Sequence, residues 1–255
     1  MAAIQSTRPR SGRISITARL ARKSEDVLHH VGRAYQRWSL KREYVSQRFR
    51  RHNERTAEFA FVFRAVGKTA PRTLLDIGTG TTALPAAIAN CGVVVTAVDN
   101  VRDYWEDGMV NRHWHIIDSD IQKPALEGQW DMVTCISVLE HVKDHRAAMR
   151  NMMRLVRPGG HLVLTCPFTD REFVADTYRV PGADPVSATE VYICNSYSRA
   201  ELETWLSDGD AELIEEEYWR GFTGKHWAMG TRIAPPEPSS RNGNHNHACF
   251  LIRRR

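Results

Sequence analysis

The chain has 255 residues, of which 42% are hydrophobic, enough to bury a core as one large domain or one domain with appendages. No apolar run approaches the roughly 20 residues that cross a bilayer, so a helical membrane protein is excluded and a soluble, cytoplasmic one is expected. The formal net charge of +5 is unevenly spread: residues 1–72 carry 17 Lys and Arg against 5 Asp and Glu, a basic arm ahead of an acidic body.

Such an arm suits nucleic acid, an anionic substrate or a membrane surface, and it equally suits a solvated helix face. Residues 1–24 hold six basic residues and no acid. They lack a continuous apolar stretch, which speaks against a secretory signal. Their composition overlaps that of organelle transit peptides, but a disordered basic tail is the simpler expectation. Residues 25–70 turn helical, with Val27, Val31, Tyr35 and Trp38, then Phe59, Phe61, Val62, Phe63 and Val66, recurring near the helix period. They predict one or two helices that pack on the body or cover its crevice, ended by the stretch from Gly67 to Pro71.

From Arg72 strands and helices alternate. Strands are predicted at 73–77, 93–98, 113–117 and 132–136, with helices at 82–89, at 104–110 and, strongly amphipathic, at 144–155. The turn Arg157-Pro158-Gly159-Gly160 leads into a strand at 161–165. Ser198 and Glu201 make a capping box that opens a helix running to Leu206, and strands follow at 213–219 and 248–252. Residues 167–197 and 219–247 read as loops, the second rich in Gly, Pro, Ser and Asn. The alternation predicts an α/β fold, a doubly wound and mostly parallel sheet with helices on both faces. Cys91, Cys135, Cys166, Cys194 and Cys249 are widely spaced with no Cys-x-x-Cys pair, which favours reduced thiols over disulfides or a zinc site.

The stretch Leu74-Leu75-Asp76-Ile77-Gly78-Thr79-Gly80-Thr81-Thr82 reads as strand, tight turn and helix start. Glycines at a strand's carboxyl end let a ligand approach the backbone, and the following helix supplies free amides. Asp99 ends the next strand about 20 residues later, where an acid can take both ribose hydroxyls. Asp120 follows the third strand, able to accept from an exocyclic amine, with Ile121 beside it as an apolar face. Any one of these acids could simply cap a turn, whereas three successive strand ends in register point to a nucleoside-type cofactor.

At this point the chain resembles the class I S-adenosylmethionine-dependent methyltransferases, through LLDIGTGT, VVVTAVDN, Asp120-Ile121, DMVTCISVLEHV and LVRPGGHLVLTCPF over residues 70–220. The resemblance implies a Rossmann-like, seven-stranded sheet with an antiparallel last strand. It implies that Asp76, Gly78 and Gly80 hold the methionine end, Asp99 the ribose, and Asp120 and Ile121 the adenine, with Ser137 beside the transferred methyl. Thr82 stands where family members often have a third glycine, so a reshaped methionine pocket is expected. A divalent-metal version of the family carries a glutamate where this chain has Ser137, so no metal is expected.

A hydroxyl acceptor needs a base. His141 is the first candidate and His145 the second, with an N-cap or packing role as the alternative for His141. The loops at 167–197 and 219–247, with Phe168, Tyr178, Tyr192, Tyr197, Trp219, His226 and Trp227, are expected to cover the acceptor or to be pinned to the body by these rings. Tyr197-Ser198-Arg199, Glu217-Tyr218-Trp219 and Gly224-Lys225-His226-Trp227 look like methyltransferases of polysaccharide or other glycan assembly. The expected activity is O-methylation of a saccharide or small-metabolite hydroxyl. The alternatives are an RNA methyltransferase using the basic arm and a non-catalytic S-adenosylmethionine-binding protein.

Overall fold

The computed structural model describes residues 27–35, 38, 53–105, 109–185, 187 and 192–255. The predicted tail at 1–24 lies outside them. The chain forms two compact units, Met1–Arg50 and Arg51–Arg255. In the first, residues 27–35 are helical, with Val27, Leu28, Val31 and Tyr35 exposed.

The second unit begins with α1 (Arg55–Thr69), followed by β1 (Thr73–Ile77), α2 (Leu84–Ala89), β2 (Val94–Asp99), the single turn α3 (Val101–Tyr104), β3 (Ile116–Asp118) and β4 (Trp130–Ile136). After a short 3-10 turn at Leu139–His141 come α4 (His145–Leu155), β5 (Val156–Pro167), α5 (Arg199–Asp208), β6 (Ala211–Phe222), β7 (Arg232–Ser239) and β8 (His247–Arg254). The strands lie in the order β3-β2-β1-β4-β5-β8-β6-β7. β1 to β5 pair in parallel, and β8 runs antiparallel between β5 and β6. The doubly wound, mostly parallel sheet is as expected.

The sheet has eight strands, not seven. The added one is β7, in a stretch expected to be loop, where Pro235, Pro236 and Pro238 mask the strand pattern. It is tolerated because β7 is an edge strand, paired only to β6, where missing amide donors can face away from the sheet. Other boundaries move for local reasons. The helix expected at 104–110 meets the turn α3 only at Tyr104: α3 is set by Asn100, whose side chain accepts from the Asp103 amide, and Trp105, Met109 and Val110 are not helical, with residues 106–108 outside the described residues. The helix expected from Thr82 starts at Leu84, because the Thr82 hydroxyl donates back to the Thr79 carbonyl at 3.0 Å and stays in the turn. The predicted turn at 157–160 is absorbed into β5: Val156 pairs with Trp130, and the register then shifts before Met132 meets His161. The Ser198–Glu201 capping box on α5 is present as expected.

Side chains alternate across the strands, and the two faces bury different helices. The rows Leu75, Val133, Leu162, Ile252 and Ile77, Cys135, Leu164, Phe250 lie under Met149 and Met152 of α4 and Leu202 and Trp205 of α5. Leu74, Met132, Val163 and Leu251 face Phe61, Val62 and Ala65 of α1 and Leu84 and Ile88 of α2. Truncating one of these fully buried side chains to alanine costs about 2–5 kcal/mol. The five cysteines are free, all buried except Cys91. Among the described residues no helix is long and apolar enough to cross a membrane. The strand order reverses between β1 and β4, which opens a crevice at the carboxyl ends of these strands.

Candidate active site

The crevice is built around the turn after β1. Gly78 has φ 69°, and a Cβ there would stand 2.3 Å from Val138 Cγ2, so glycine is needed both for backbone conformation and for the approach of the β4 loop. Gly80 has φ 57° and open space where a Cβ would stand. Its amide donates to Asp99 Oδ2 at 2.7 Å. Asn111 braces the turn from the other side, its side-chain amide donating to the carbonyls of Gly80 and Thr82 at 2.9 and 3.0 Å.

A cavity of about 240 Å³ opens from this turn. Gly78, Gly80, Asp99, Asp120, Ile121, Ser137 and His141 all line it. Burial raises the Asp99 carboxyl above the ordinary aspartate range, opposed by hydrogen bonds from the Gly80 amide and the Trp105 side chain. Asp120 Oδ1 accepts from the Gln122 amide at 2.8 Å, which fixes the carboxylate at the cavity wall. Ser119 also lines the cavity, and its buried hydroxyl has no partner. Tyr104 and Tyr192 stack with centroids 5.8 Å apart, and the Tyr192 hydroxyl donates to the Tyr104 carbonyl at 3.1 Å, joining two segments distant in sequence into one wall.

Ser137 and His141 also line a second cavity, of about 260 Å³, with Arg55, Glu140, Trp227 and Arg232 among its other walls. Ser137 adopts φ 50° directly after β4. Its hydroxyl donates to Glu58 Oε1 at 2.5 Å, and the Thr165 hydroxyl donates to the same oxygen at 2.6 Å. Glu58 is fully buried, with Arg55 Nη1 at 2.8 Å and His247 Nε2 at 3.1 Å. Its carboxyl lies well below the ordinary range: burial opposes ionisation, and the Arg55 charge and these hydrogen bonds outweigh it. Glu140 is the opposite case, raised to about 8 mainly by burial, with Oε2 unpartnered. The His141 Nδ1 atom lies 2.7 Å from the Ile193 carbonyl. A carbonyl only accepts, so Nδ1 carries the proton and Nε2 is the basic atom.

Seven of the nine residues expected at the site thus meet around the first cavity: Gly78, Gly80, Asp99, Asp120, Ile121, Ser137 and His141. Asp76 and His145 do not. Strand alternation turns Asp76 toward the α1 side, level with Thr134 on β4. There its carboxylate accepts from the Thr134 and Thr79 hydroxyls at 2.6 and 2.8 Å, and burial raises it to about 6. Asp76 therefore supports the glycine turn from beneath. His145 opens α4 and sits among Phe173, Tyr197 and Trp205, centroids 5.0–5.9 Å away. Burial lowers its basicity, and it takes a packing position. Sequence reasoning missed Tyr104, Trp105 and Met109 on the cavity wall and Glu58 beneath Ser137. The aromatic pair Tyr104-Trp105, five and six residues after the strand-end acid Asp99, was the available signal; Glu58 had none toward Ser137 and Thr165, which lie 79 and 107 residues away. Among the described residues no cluster of three or more His, Cys, Asp or Glu side chains has a metal-holding arrangement.

A family model described as a methyltransferase domain matches residues 44–216. A ubiquinone biosynthesis O-methyltransferase of Coxiella burnetii is 28% identical over 165 residues, 60% of this chain and 67% of that protein. Its namesake in Pseudomonas paraeruginosa is 34% identical over 155 residues, 56% of this chain and 66% of that protein. The matches span about two thirds of these relatives. Among solved structures, the 1,6-didemethyltoxoflavin-N1-methyltransferase of Burkholderia thailandensis, with 1,6-didemethyltoxoflavin and S-adenosylhomocysteine bound, matches with a TM-score of 0.51 at 14% identity, covering 97% of this chain and 93% of that one. An S-adenosylmethionine-dependent methyltransferase of Thermotoga maritima also reaches 0.51 at 14% identity, covering 90% of this chain and 99% of that one. At these identities the likeness is one of fold.

Proposed function

The chain belongs to the methyltransferase domain family and has the class I S-adenosylmethionine-dependent fold, and from this premise we propose that it transfers the methyl group of S-adenosylmethionine to a hydroxyl of a small metabolite. The observation that carries the reading is the meeting of two cavities at Ser137 and His141, one suited to the cofactor and the other to an acceptor. The names of the Coxiella and Pseudomonas relatives, both O-methyltransferases, support oxygen as the methylated atom.

The cofactor fits the first cavity on three counts. Gly80 leaves open space where a side chain would intrude, Asp99 offers a carboxylate at the end of β2 for a ribose, and the unpartnered Ser119 hydroxyl lacks only a ligand to bond. In this reading Gly78 and Gly80 flank the methionine end and Asp120 and Ile121 the adenine. When bound, S-adenosylmethionine supplies an electrophilic methyl that needs no covalent help from the protein. The chain's own work is to align the acceptor, remove its proton and exclude water.

His141 is suited to the proton. The Ile193 carbonyl fixes the ring's tautomer, which leaves the basicity on Nε2, and His141 lines both cavities. A hydroxyl oxygen held there can pass its proton to Nε2 as it attacks. The Tyr104–Tyr192 stack closes one side of the cofactor cavity against water. In the second cavity Trp227 and Phe222 offer ring faces, with the Arg232 guanidinium lying over both at 5.8 and 5.5 Å. Neutral Glu140 can donate to an acceptor oxygen. This mix of ring faces and hydrogen-bonding groups suits a hydroxylated ring, phenolic or saccharide.

Labelled methyl transfer into a panel of catechols, monophenols, monosaccharides and RNA tests the reading. A methyl ether on one of the small acceptors is the expected product; label appearing only in RNA or only on nitrogen would sink it.

A further inference from the structure

A third cavity, of about 430 Å³, lies among the loop after β5, the β6–β7 hairpin and the β7–β8 hairpin. Its walls differ from those of the other two. Arg171, Lys225 and Arg241 face Asp170 as the one acid, and hydroxyl and amide side chains supply the rest. The β6–β7 hairpin separates it from the second cavity, which takes Phe222 and Trp227 while this one takes Thr223, Gly224 and Lys225.

The charges there are out of balance. Asp170 Oδ1 is already engaged by Arg199 Nε at 2.8 Å, with Arg241 Nε at 3.6 Å. Lys225 pairs with Glu172. Arg171 is exposed and makes no hydrogen bond or ion pair among the described residues. The cavity therefore holds more positive charge than its own acid neutralises, the condition for holding an anion.

A second feature is independent of that charge. The His245 side chain is only 3% exposed, and its Nδ1 lies 3.1 Å from the Ser240 carbonyl, so Nδ1 carries the proton. Burial lowers the basicity of the ring, and in its neutral form, with the proton on Nδ1, Nε2 presents only a lone pair. Nε2 has no hydrogen-bond partner. Across from it lies Asp170 Oδ2, 3.4 Å away, itself buried and unpartnered. Two acceptors face each other with no donor between them, which is costly in a buried site.

We propose that this cavity is a binding site for a protonated oxyanion of the phosphate class, held by Arg171 and Arg241 through its oxygens and by Asp170 and His245 through its hydroxyl. A phosphate monoanion, or a monoester of it, brings both the negative charge and the missing donor. Sulfate brings the charge alone. The site does not depend on the methyl-transfer reading, since none of these residues lines either of the other cavities.

Calorimetric titration of the full chain with inorganic phosphate and with sulfate at pH 6 tests this. Phosphate is expected to bind at least about tenfold more tightly than sulfate, and the Arg171→Gln/Arg241→Gln double variant, altered only at exposed side chains, to lose phosphate binding while keeping its affinity for S-adenosylmethionine. A third titration with glucose 6-phosphate separates sources: tighter binding than inorganic phosphate assigns a phosphorylated metabolite, equal binding the free ion. Absence of phosphate binding, equal affinity for sulfate, or phosphate binding that survives the double substitution would each overturn the proposal.

Discussion

The Gly80 amide donates to Asp99 Oδ2 at 2.7 Å, tying the turn after β1 to the end of β2 in the wall of the first cavity. One acid thus serves both the protein's own turn and, in the proposed function, the ribose. Asp99→Ala removes both at once and leaves the Gly80 amide without its acceptor, so S-adenosylmethionine affinity should fall by about tenfold to a hundredfold. Calorimetry on wild type and variant measures this. No heat from the wild type would remove the cofactor assignment itself.

Gly78→Ala should damage the site by a different route. The new methyl would meet Val138 at 2.3 Å on a backbone with φ 69°. Strain and overlap together cost about 2–4 kcal/mol, read as a lowered denaturation midpoint. Gly80→Ala carries the backbone strain without the overlap. It should fold better than Gly78→Ala yet bind cofactor more weakly than wild type, because in the proposed function its methyl would enter the space that the ligand takes.

Glu58 holds α1 to the sheet through charge as well as packing. In Glu58→Gln the Arg55 guanidinium loses its buried counter-charge, and because one carboxylate oxygen becomes an amide NH2, either Arg55 or the Ser137 and Thr165 hydroxyls lose their acceptor. Breaking a buried pair in this way costs about 3–5 kcal/mol. Urea denaturation monitored by tryptophan fluorescence gives the value; a change under about 0.5 kcal/mol, typical of an exposed pair, would show that the network contributes little.

Glu140 sets a pH dependence. Its folded carboxyl keeps a proton to about pH 8, whereas the same group in the unfolded chain releases it near its ordinary value of 4.5. Between those values unfolding releases a proton, so stability falls as pH rises, by at most about 1.4 kcal/mol per unit. The contribution is full below pH 4.5 and lost above 8. Asp76, raised to about 6, adds a weaker effect of the same sign. Glu140→Gln should therefore gain in melting temperature relative to wild type from pH 5 to pH 8. A difference that stays constant across that range would mean that Glu140 is ionised in the folded state.

His141→Ala should lower methyl transfer by about a hundredfold or more while S-adenosylmethionine binding is largely kept. His145→Phe, in the aromatic cluster, should leave turnover near wild type. Equal loss in both variants would argue for a packing role at position 141.

The parallel core was legible because its signals are local: apolar runs of strand length, glycines after β1, and acids at the ends of β2 and β3. Asp99, Asp120 and Ser137 could be expected at the crevice because each lies at the end of such a strand or within two residues of it. What could not be read was which way a residue faces and what crosses over it. Asp76 has the right spacing for a ligand contact but lies on the α1 side, where Thr134 captures it. Glu58 looks in sequence like one more polar position of a helix, and only folding brings it under Ser137. The prolines of β7 read as loop because strand patterns describe paired strands, and an edge strand has fewer amides to pair.

Those prolines have a further consequence. Without amide hydrogens at positions 235, 236 and 238, β7 offers an approaching chain a broken row of donors. At the opposite end β3 presents only Ile116–Asp118, too short a template to hold a partner. An open sheet is thus blunted at both margins by unrelated means, one chemical and one geometric, and strand-to-strand association between copies of this chain is discouraged.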